Sequence, residues 1–400
     1  MGITRVLRQP EASPKLHGLD HLRAFAIIFV FIYHYGRLFG SPERVTAIGK
    51  FGWTGVDLFF VLSGYLIASQ LFARIAQGKG VALKEFFIKR FFRILPLYWF
   101  ILGLYFLIPA VHEREGLAPL WKYLFFVQNI GLDLRVHGTF SHAWSLCIEE
   151  QFYLVLPLAL TALLYFKSLR KGIFIILALF VAGFFIRSLC WDYYMYQNAH
   201  TDSGWAYWYS LVYYPTWCRL DGLLAGVFIA AAYQFKPALK ARVEPYGNAL
   251  LLLSLAILTG AYFVCVQERS YGASVFGFPL VSIGYAVMLM GAISPASILY
   301  RFRSRISATI AALSYGIYLS HKIVLHLTQD YFSGWNIDRK SMLMFGICLI
   351  TSFAAAWVLN KLIEKPFMRV RDHVLRKGRQ AAMEVLPTES PADNRRANMG

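Results

Sequence analysis

The sequence predicts an all-α protein: a polytopic transmembrane helix bundle of about ten spans with both termini cytoplasmic. Three observations carry that prediction. Of 400 residues, 58% are hydrophobic and 16% charged, against about 25% charged in soluble domains. Long apolar stretches recur between residues 22 and 363, each able to cross about 30 Å of hydrocarbon at roughly 1.5 Å per residue. The Lys and Arg behind the net charge of +18 sit in short clusters between those stretches, which is the pattern of membrane topology rather than of nucleic-acid binding.

The expected spans are 20–39, 53–73, 94–112, 144–166, 172–191, 218–234, 247–266, 275–293, 309–329 and 342–363. In the first, Arg23 and His34 are eleven residues apart, about three turns plus 20°, so both occupy one helix face roughly 16 Å apart. That face reads either as a polar stripe lining a passage, with His34 as general base, or as a snorkelling Arg and a His bonded to a neighbouring helix. A histidine suits the base role because its pKa lies near working pH. The second span holds Asp57 in the run Gly52 to Gly64. Asp57 could cap a helix, pair with Arg37 or bind a sugar hydroxyl, while Ser63 and Gly64 allow close helix approach. The third opens on Lys89, Arg90 and Arg93, with the two arginines at i,i+3. They are either a positive-inside anchor or a clamp for a phosphate-bearing cytosolic ligand.

The fourth span, after Trp144, contains Glu149 and Glu150, and carboxylates kept in a membrane at several kcal/mol each are usually functional. Both are expected about one and a half turns into the membrane, at a depth similar to His34. Adjacent positions point about 100° apart, so one acid is expected to face the passage and the other a neighbouring helix. A carboxylate near His34 would orient its imidazole; the alternative is an ion pair with Arg187, Arg219 or Arg37. Residues 117–132 and 205–217 are aromatic-rich but short, and read as interfacial or re-entrant. Arg219, Asp221 and Gly222 open the sixth span. Ser314, Tyr315, Tyr318 and His321 lie in the ninth, with Lys322 beside them, and Glu364-Lys365-Pro366 ends the tenth. Taken singly, these are packing or capping features.

Basic residues set the expected orientation. Arg5, Arg8 and Lys15, the cluster from Arg74 to Arg93, Lys167 to Lys171, Lys236 to Arg242, Arg301 to Arg305 and the C-terminal tail fall on one side; far fewer fall on the other. The basic, polar segment 1–19 lacks an apolar region ahead of a cleavage site, so the first helix is expected to act as an uncleaved insertion signal. Residues 20–368 form the expected membrane domain, and 369–400 a polar, disordered tail. Five cysteines stand singly without metal spacing, so no metal site, disulfide framework or permanently bound cofactor is expected.

The ordered set of motifs resembles the acyltransferase type 3 family, polytopic membrane enzymes that O-acylate sugars and envelope polymers. Arg23 and His34 match its Arg/Lys-x10-His signature, Gly55 to Tyr65 its Gly-Val-Asp motif, and Arg90, Arg93, Pro96 and Tyr98 its Arg-x-x-Arg element. Trp144 to Tyr153 match its Trp-Ser-Leu-x-x-Glu-x-Gln-Phe-Tyr motif, and Arg219 to Gly222, Ser314 to His321 and Glu364 to Pro366 its later elements. The likeness runs from about residue 16 to 370. It implies transfer of an acyl group, commonly acetyl from acetyl-CoA, to a hydroxyl of an extracytoplasmic carbohydrate or glycoconjugate. It further implies a multi-pass protein of the bacterial cytoplasmic (inner) membrane, here read as a stand-alone member without a hydrolase-like domain. On that basis His34, Glu149 and Arg23 are the expected catalytic residues. Arg90, Arg93 and Lys89 are the expected donor-binding residues. Asp57, Ser63, Glu150, Tyr153, Arg219, Asp221, Tyr318 and His321 are expected to support substrate or structure. A transporter or flippase using the same intramembrane His, Glu and Arg is the competing reading, against which stands the lack of paired Gly/Pro-broken helices in two repeated halves.

Overall fold

The chain, as a computed structural model, describes residues 16–198 and 201–384. Every expected span coincides with a helix: α1 His17–Leu38, α2 Gly55–Ala76, α3 Leu83–Leu107, α4 Trp144–Tyr165, α5 Gly172–Asn198, α6 Asp221–Phe235, α7 Gly247–Val264, α8 Phe278–Ile293, α9 Arg305–Ser333 and α10 Met342–Leu359, followed by α11 Lys365–Glu384. No strand occurs among the described residues. Eight of the described helical stretches are long and apolar enough to cross a membrane. The exceptions among the expected spans are α1, whose 22 residues include Asp20, Arg23 and His34, and α6, which has only 15. At about 1.5 Å per residue α6 falls short of a bilayer. A 3₁₀ turn at Thr216–Cys218 and irregular backbone at Arg219 and Leu220 precede it, a break tolerated where protein rather than lipid surrounds the chain.

Two boundaries move. The third helix begins at Leu83, well before the expected 94, because Lys84, Glu85, Lys89, Arg90 and Arg93 lower its hydropathy without lowering its helix propensity. Pro96 lies inside this helix, as Pro157 lies inside α4. The tail expected to be disordered from 369 instead continues as α11 through Glu384 and packs on α3, its start rich in long side chains that favour helix. Residues 1–15 of the expected N-terminal segment 1–19 and the last part of the tail, 385–400, lie outside the described residues. The aromatic segment 117–132 contains the short helix Leu120–Leu124, and 205–217 falls in Gly204–Trp208, which runs on as a π-helical stretch Tyr209–Tyr213, and in the 3₁₀ turn Thr216–Cys218.

The two ends of the bundle are distinguishable. At one, His21 Nε2 lies 2.8 Å from the carbonyl of Phe302, in the α8–α9 connection. At the other, Arg37 pairs at 3.2 Å with Glu268, in the α7–α8 connection.

The core is organised around α2 and α6. A Cβ on Gly64 would stand 2.2 Å from the carbonyl oxygen of Leu223, and one on Gly226 would stand 2.3 Å from that of Val61, so only glycine permits this approach. Ser63 does not serve that contact; it turns toward Glu149. Just ahead of α6, Arg219 donates to both oxygens of Asp57 at 2.9 Å. Its guanidinium lies over the rings of Phe278 (4.1 Å), Tyr213 (4.5 Å), Trp144 (5.4 Å) and Trp53 (5.8 Å). Asp221 accepts from Arg187 at 2.6 Å. Arg187 and Arg219 are the bulkiest of the completely buried side chains. Asp57 therefore pairs with Arg219 and not with Arg37, and Asp221 is a structural anchor.

Removing one partner of such a buried pair strands the other charge, at a cost of about 3–5 kcal/mol. Arg219→Leu is expected to lower thermal stability in detergent severely, with Asp57→Leu/Arg219→Leu recovering much of the loss. An unfolding curve for Arg219→Leu that overlays wild type would remove the pair from its structural role.

Candidate active site

Two polar cavities lie inside the apolar bundle, both reached from α1. The first, of about 140 Å³, is lined by Arg23, Ser63, Arg90, Arg93, Glu149, Glu150 and Tyr153, with Ser145, Tyr315 and Tyr318 on the far wall. The second, of about 250 Å³, is lined by His34, Arg37, Arg114, His142 and Lys322 among aromatic side chains. Val56 lines both. The partition beside it is tied by Tyr318, whose hydroxyl donates to the carbonyl of His142 at 2.5 Å and lies 2.6 Å from Ser145 Oγ. The polar stripe expected on α1 thus opens into two chambers separated by a thin wall.

In the arginine chamber, Glu149 is held in place. Ser63 Oγ donates to its Oε2 at 2.8 Å, and the Tyr153 hydroxyl, one turn on, donates to the same oxygen. Glu150 lines the same cavity, and its Oε1 is buried without a hydrogen-bond partner. The expectation that only one acid faces the passage is therefore corrected. The cavity is wide enough to span the 100° between the two positions, and it is Gln151 that turns to the neighbouring segments, donating to the Phe126 carbonyl at 2.7 Å.

The three basic residues at the mouth of α3 differ from one another. Arg93 pairs with Glu364 at 3.2 Å, giving the Glu-Lys-Pro element its partner. Arg90 stacks over Phe86 and Tyr153, at 5.8 and 5.4 Å, and its Nε is buried without a hydrogen-bond partner. Lys89 does not line the cavity; it pairs with Glu85 one turn away at 2.7 Å on a half-exposed surface, because i,i+4 spacing points it outward.

The chamber around His34 contains no glutamate from α4. The expectation that Glu149 or Glu150 orients His34 is overturned, since both acids face the arginine chamber across the wall. His34 Nδ1 instead lies 3.2 Å from Nε2 of His321 and 3.1 Å from the carbonyl of Val30. His321 Nδ1 faces only carbonyls, Tyr318 at 2.8 Å and Ile317 at 3.0 Å. A ring nitrogen between carbonyl oxygens carries the proton, so His321 Nε2 is an acceptor and His34 Nδ1 is the donor to it. That assignment leaves the lone pair of His34 on Nε2, the tautomer required of a base.

Sequence reasoning missed His142, Glu113 and Arg114. Lys322 is buried beside His321 and reaches Glu113 at 3.6 Å and Ser141 Oγ at 3.2 Å. Glu113 and Arg114 sit in a charged run that looks like a solvated loop. The one usable signal for His142 was its place two residues before Trp144.

A membrane bundle enclosing a tautomer-fixed histidine beside a chamber of arginines and glutamates has the layout of an intramembrane transferase. The chain belongs to the acyltransferase type 3 family: a family model described as an acyltransferase domain matches residues 16–361. The matched model is that of an acyltransferase domain, which weighs against the transporter reading. O-acetyltransferase OatA of Staphylococcus aureus, in strains NCTC 8325, COL and MRSA252, is 27% identical over 374 residues, covering 89% of this chain. That alignment takes in 58% of each relative, so the chain spans little over half the length of the curated relatives it matches. No solved structure matches the chain.

If His321 sets the tautomer of His34, His321→Ala is expected to lower kcat by about ten- to a hundred-fold, the range carried by outer partners of functional histidines. His321→Gln, which can offer an acceptor oxygen to His34 Nδ1, should recover part of the rate. The acidic limb of the kcat/KM pH profile should move in His321→Ala. An unmoved profile with equal losses in both variants would reduce His321 to a packing role.

Proposed function

We propose that the protein moves an acyl group, acetyl in the first instance, from cytosolic acyl-CoA to a hydroxyl of an extracytoplasmic carbohydrate or glycoconjugate. The observation that supports this reading best is the pair of chambers in series. One offers the guanidiniums of Arg23 and Arg90 to a polyphosphorylated donor; the other holds a histidine with a free Nε2 and suits an acceptor hydroxyl. The basic clusters of the sequence put the arginine chamber at the cytosolic end and His34 at the opposite one. The relatives' name, O-acetyltransferase, agrees with an oxygen acceptor.

In this reading Arg90, with its unpartnered Nε, and Arg23 meet the phosphates of the donor, since guanidinium forks match phosphate geometry. Glu149, fixed by Ser63 and Tyr153, accepts from the amide N–H groups of the donor arm as the thioester passes Val56. His34 Nε2 removes the acceptor hydroxyl proton while the oxygen attacks the thioester carbonyl carbon. The C–O bond forms, the C–S bond breaks, and the proton taken by His34 passes to the departing thiolate. The family motif therefore spreads its residues over two tasks: Arg23, Glu149, Arg90 and Arg93 at the donor, His34 and His321 at the chemistry.

The kinetics of two substitutions separate those tasks. His34→Ala is expected to lower kcat by about 10²–10⁴-fold with acetyl-CoA affinity intact. Arg90→Ala is expected to raise the donor KM by about ten- to a hundred-fold, the equivalent of one charge-assisted contact of about 1.5–3 kcal/mol, with the acceptor KM unchanged. Steady-state titrations of both substrates on purified, folded variants decide it. More than about a tenth of wild-type kcat in His34→Ala would end its assignment as base, and an unchanged donor constant in Arg90→Ala would leave that residue a helix anchor.

A further inference from the structure

The chamber around His34 continues past the histidine. A cavity of about 1020 Å³ adjoins it at the same end of the bundle, and Tyr33, Arg37, Trp53, Trp205 and Tyr209 line both. Pockets for drug-sized ligands run from about 300 to 1,000 Å³, so this vestibule has room for more than one sugar ring.

Its walls carry two recognition chemistries. The first is aromatic. Trp191, Trp205 and Tyr262 line the cavity, and Trp205 and Tyr262 are more than a third exposed, although buried aromatic packing was available to them throughout this bundle. Trp191 is fixed by its indole N–H, which donates to the Arg269 carbonyl at 3.1 Å. Flat aromatic faces match the C–H faces of pyranose rings, and the indole and phenol tips supply polar contacts at the rim. The second chemistry is electrostatic. Lys50, Arg37 and Arg269 line the vestibule against a single acid, Glu268, and Arg37 already neutralises that acid at 3.2 Å. Lys50 and Arg269 have no carboxylate partner among the described residues and are exposed. Deeper in, Arg114 adds another positive charge, while Lys322 is offset by Glu113. A cleft of one sign between low-dielectric walls concentrates ligands of the other.

We propose that this vestibule is the acceptor subsite and that it selects an acidic oligosaccharide. One residue of the glycan presents its hydroxyl to His34 Nε2 through the shared aromatic neck, while neighbouring residues stack on Trp205, Trp191 and Tyr262 and set their carboxylates against Lys50 and Arg269. The inference rests on the acyl-transfer reading of the His34 chamber. It adds to that reading the location, length and charge of the acceptor.

The test is calorimetric titration of the full chain in nanodiscs made with zwitterionic lipid. The probes are hexagalacturonate, maltohexaose and monomeric galacturonate, with acetyl-CoA titrated separately. Hexagalacturonate is expected to bind at least about tenfold more tightly than maltohexaose or the monomer, and high salt should shrink its advantage over maltohexaose. Lys50→Gln/Arg269→Gln should erase the preference for the acidic hexamer, and Trp205→Ala should weaken both hexamers. Equal affinity for the two hexamers, or a monomer that binds as well as the hexamer, overturns the proposal. So does a vestibule that ignores every saccharide while acetyl-CoA binds normally. Phosphatidylglycerol retained through purification by wild type, and lost in Lys50→Gln/Arg269→Gln, with no saccharide binding, would make it a lipid site and overturn the proposal as well. If the acidic hexamer binds as expected while acetyl-CoA does not bind at all, the vestibule stands and it is the donor reading that falls.

Discussion

The contact in which Nη2 of Arg219 donates to both oxygens of Asp57 fixes the rest of the structure. Two opposite charges, both buried, are held at 2.9 Å inside a box of Phe278, Tyr213, Trp144 and Trp53. Those partners come from α2, from the chain entering α6, and from the starts of α4 and α8, so one guanidinium ties four parts of the bundle together. Its register positions the residues further along α2. With Asp57 pinned, Ser63 lies about a turn and two-thirds along the helix, where it meets Glu149 of α4, and Gly64 lies where the backbone of α6 can approach. Val56, the neighbour of Asp57, faces the partition between the chambers. A buried ion pair is weak evidence for net stability, but its loss of one partner is severe, which suits a part that specifies position.

Much of this was legible in the sequence. Apolar length and the alternation of basic clusters located the spans, because a bilayer admits few solutions for a backbone whose polar groups must be satisfied. The pairing of Arg23 and His34 on one face followed from helical periodicity alone, but it read as one stripe lining one passage, and the division into two chambers did not show in it. What periodicity could not reach were contacts between helices. Nothing in the spacing of Glu149 says that its oxygen meets Ser63 of α2 rather than His34 of α1, and the adjacency of His34 and His321 joins residues 287 positions apart. Glu113 was hidden for a different reason. A carboxylate in a polar loop looks solvated until the fold tucks that loop over Lys322. The extra turns of α3 and α11 were missed because hydropathy measures affinity for lipid, whereas helix propensity continues through charged residues.

The division of the passage has a chemical rationale. A thioester and a hydroxyl held in one open, wet chamber would compete with water. In the proposed reaction, two chambers that meet at Val56 and the Tyr318–Ser145 contact would hold each substrate by its own chemistry and bring together only the reacting atoms. The arrangement also explains why the acids and the histidine are apart. A carboxylate beside His34 would favour the imidazolium, whereas a neutral imidazole donor-acceptor chain through His321 leaves Nε2 unprotonated and ready to accept.

The central claim is that donor and acceptor reach the reaction from opposite faces of the membrane. The direct measurement uses sealed proteoliposomes with the protein in one known orientation, acetyl-CoA confined to one compartment and an oligosaccharide acceptor to the other. Ester should form when acetyl-CoA is supplied on the side of Arg90 and the acceptor on the side of Arg37, and should be absent when the two are exchanged. Equal ester formation in both arrangements, or formation only when both substrates share a compartment, would contradict the account.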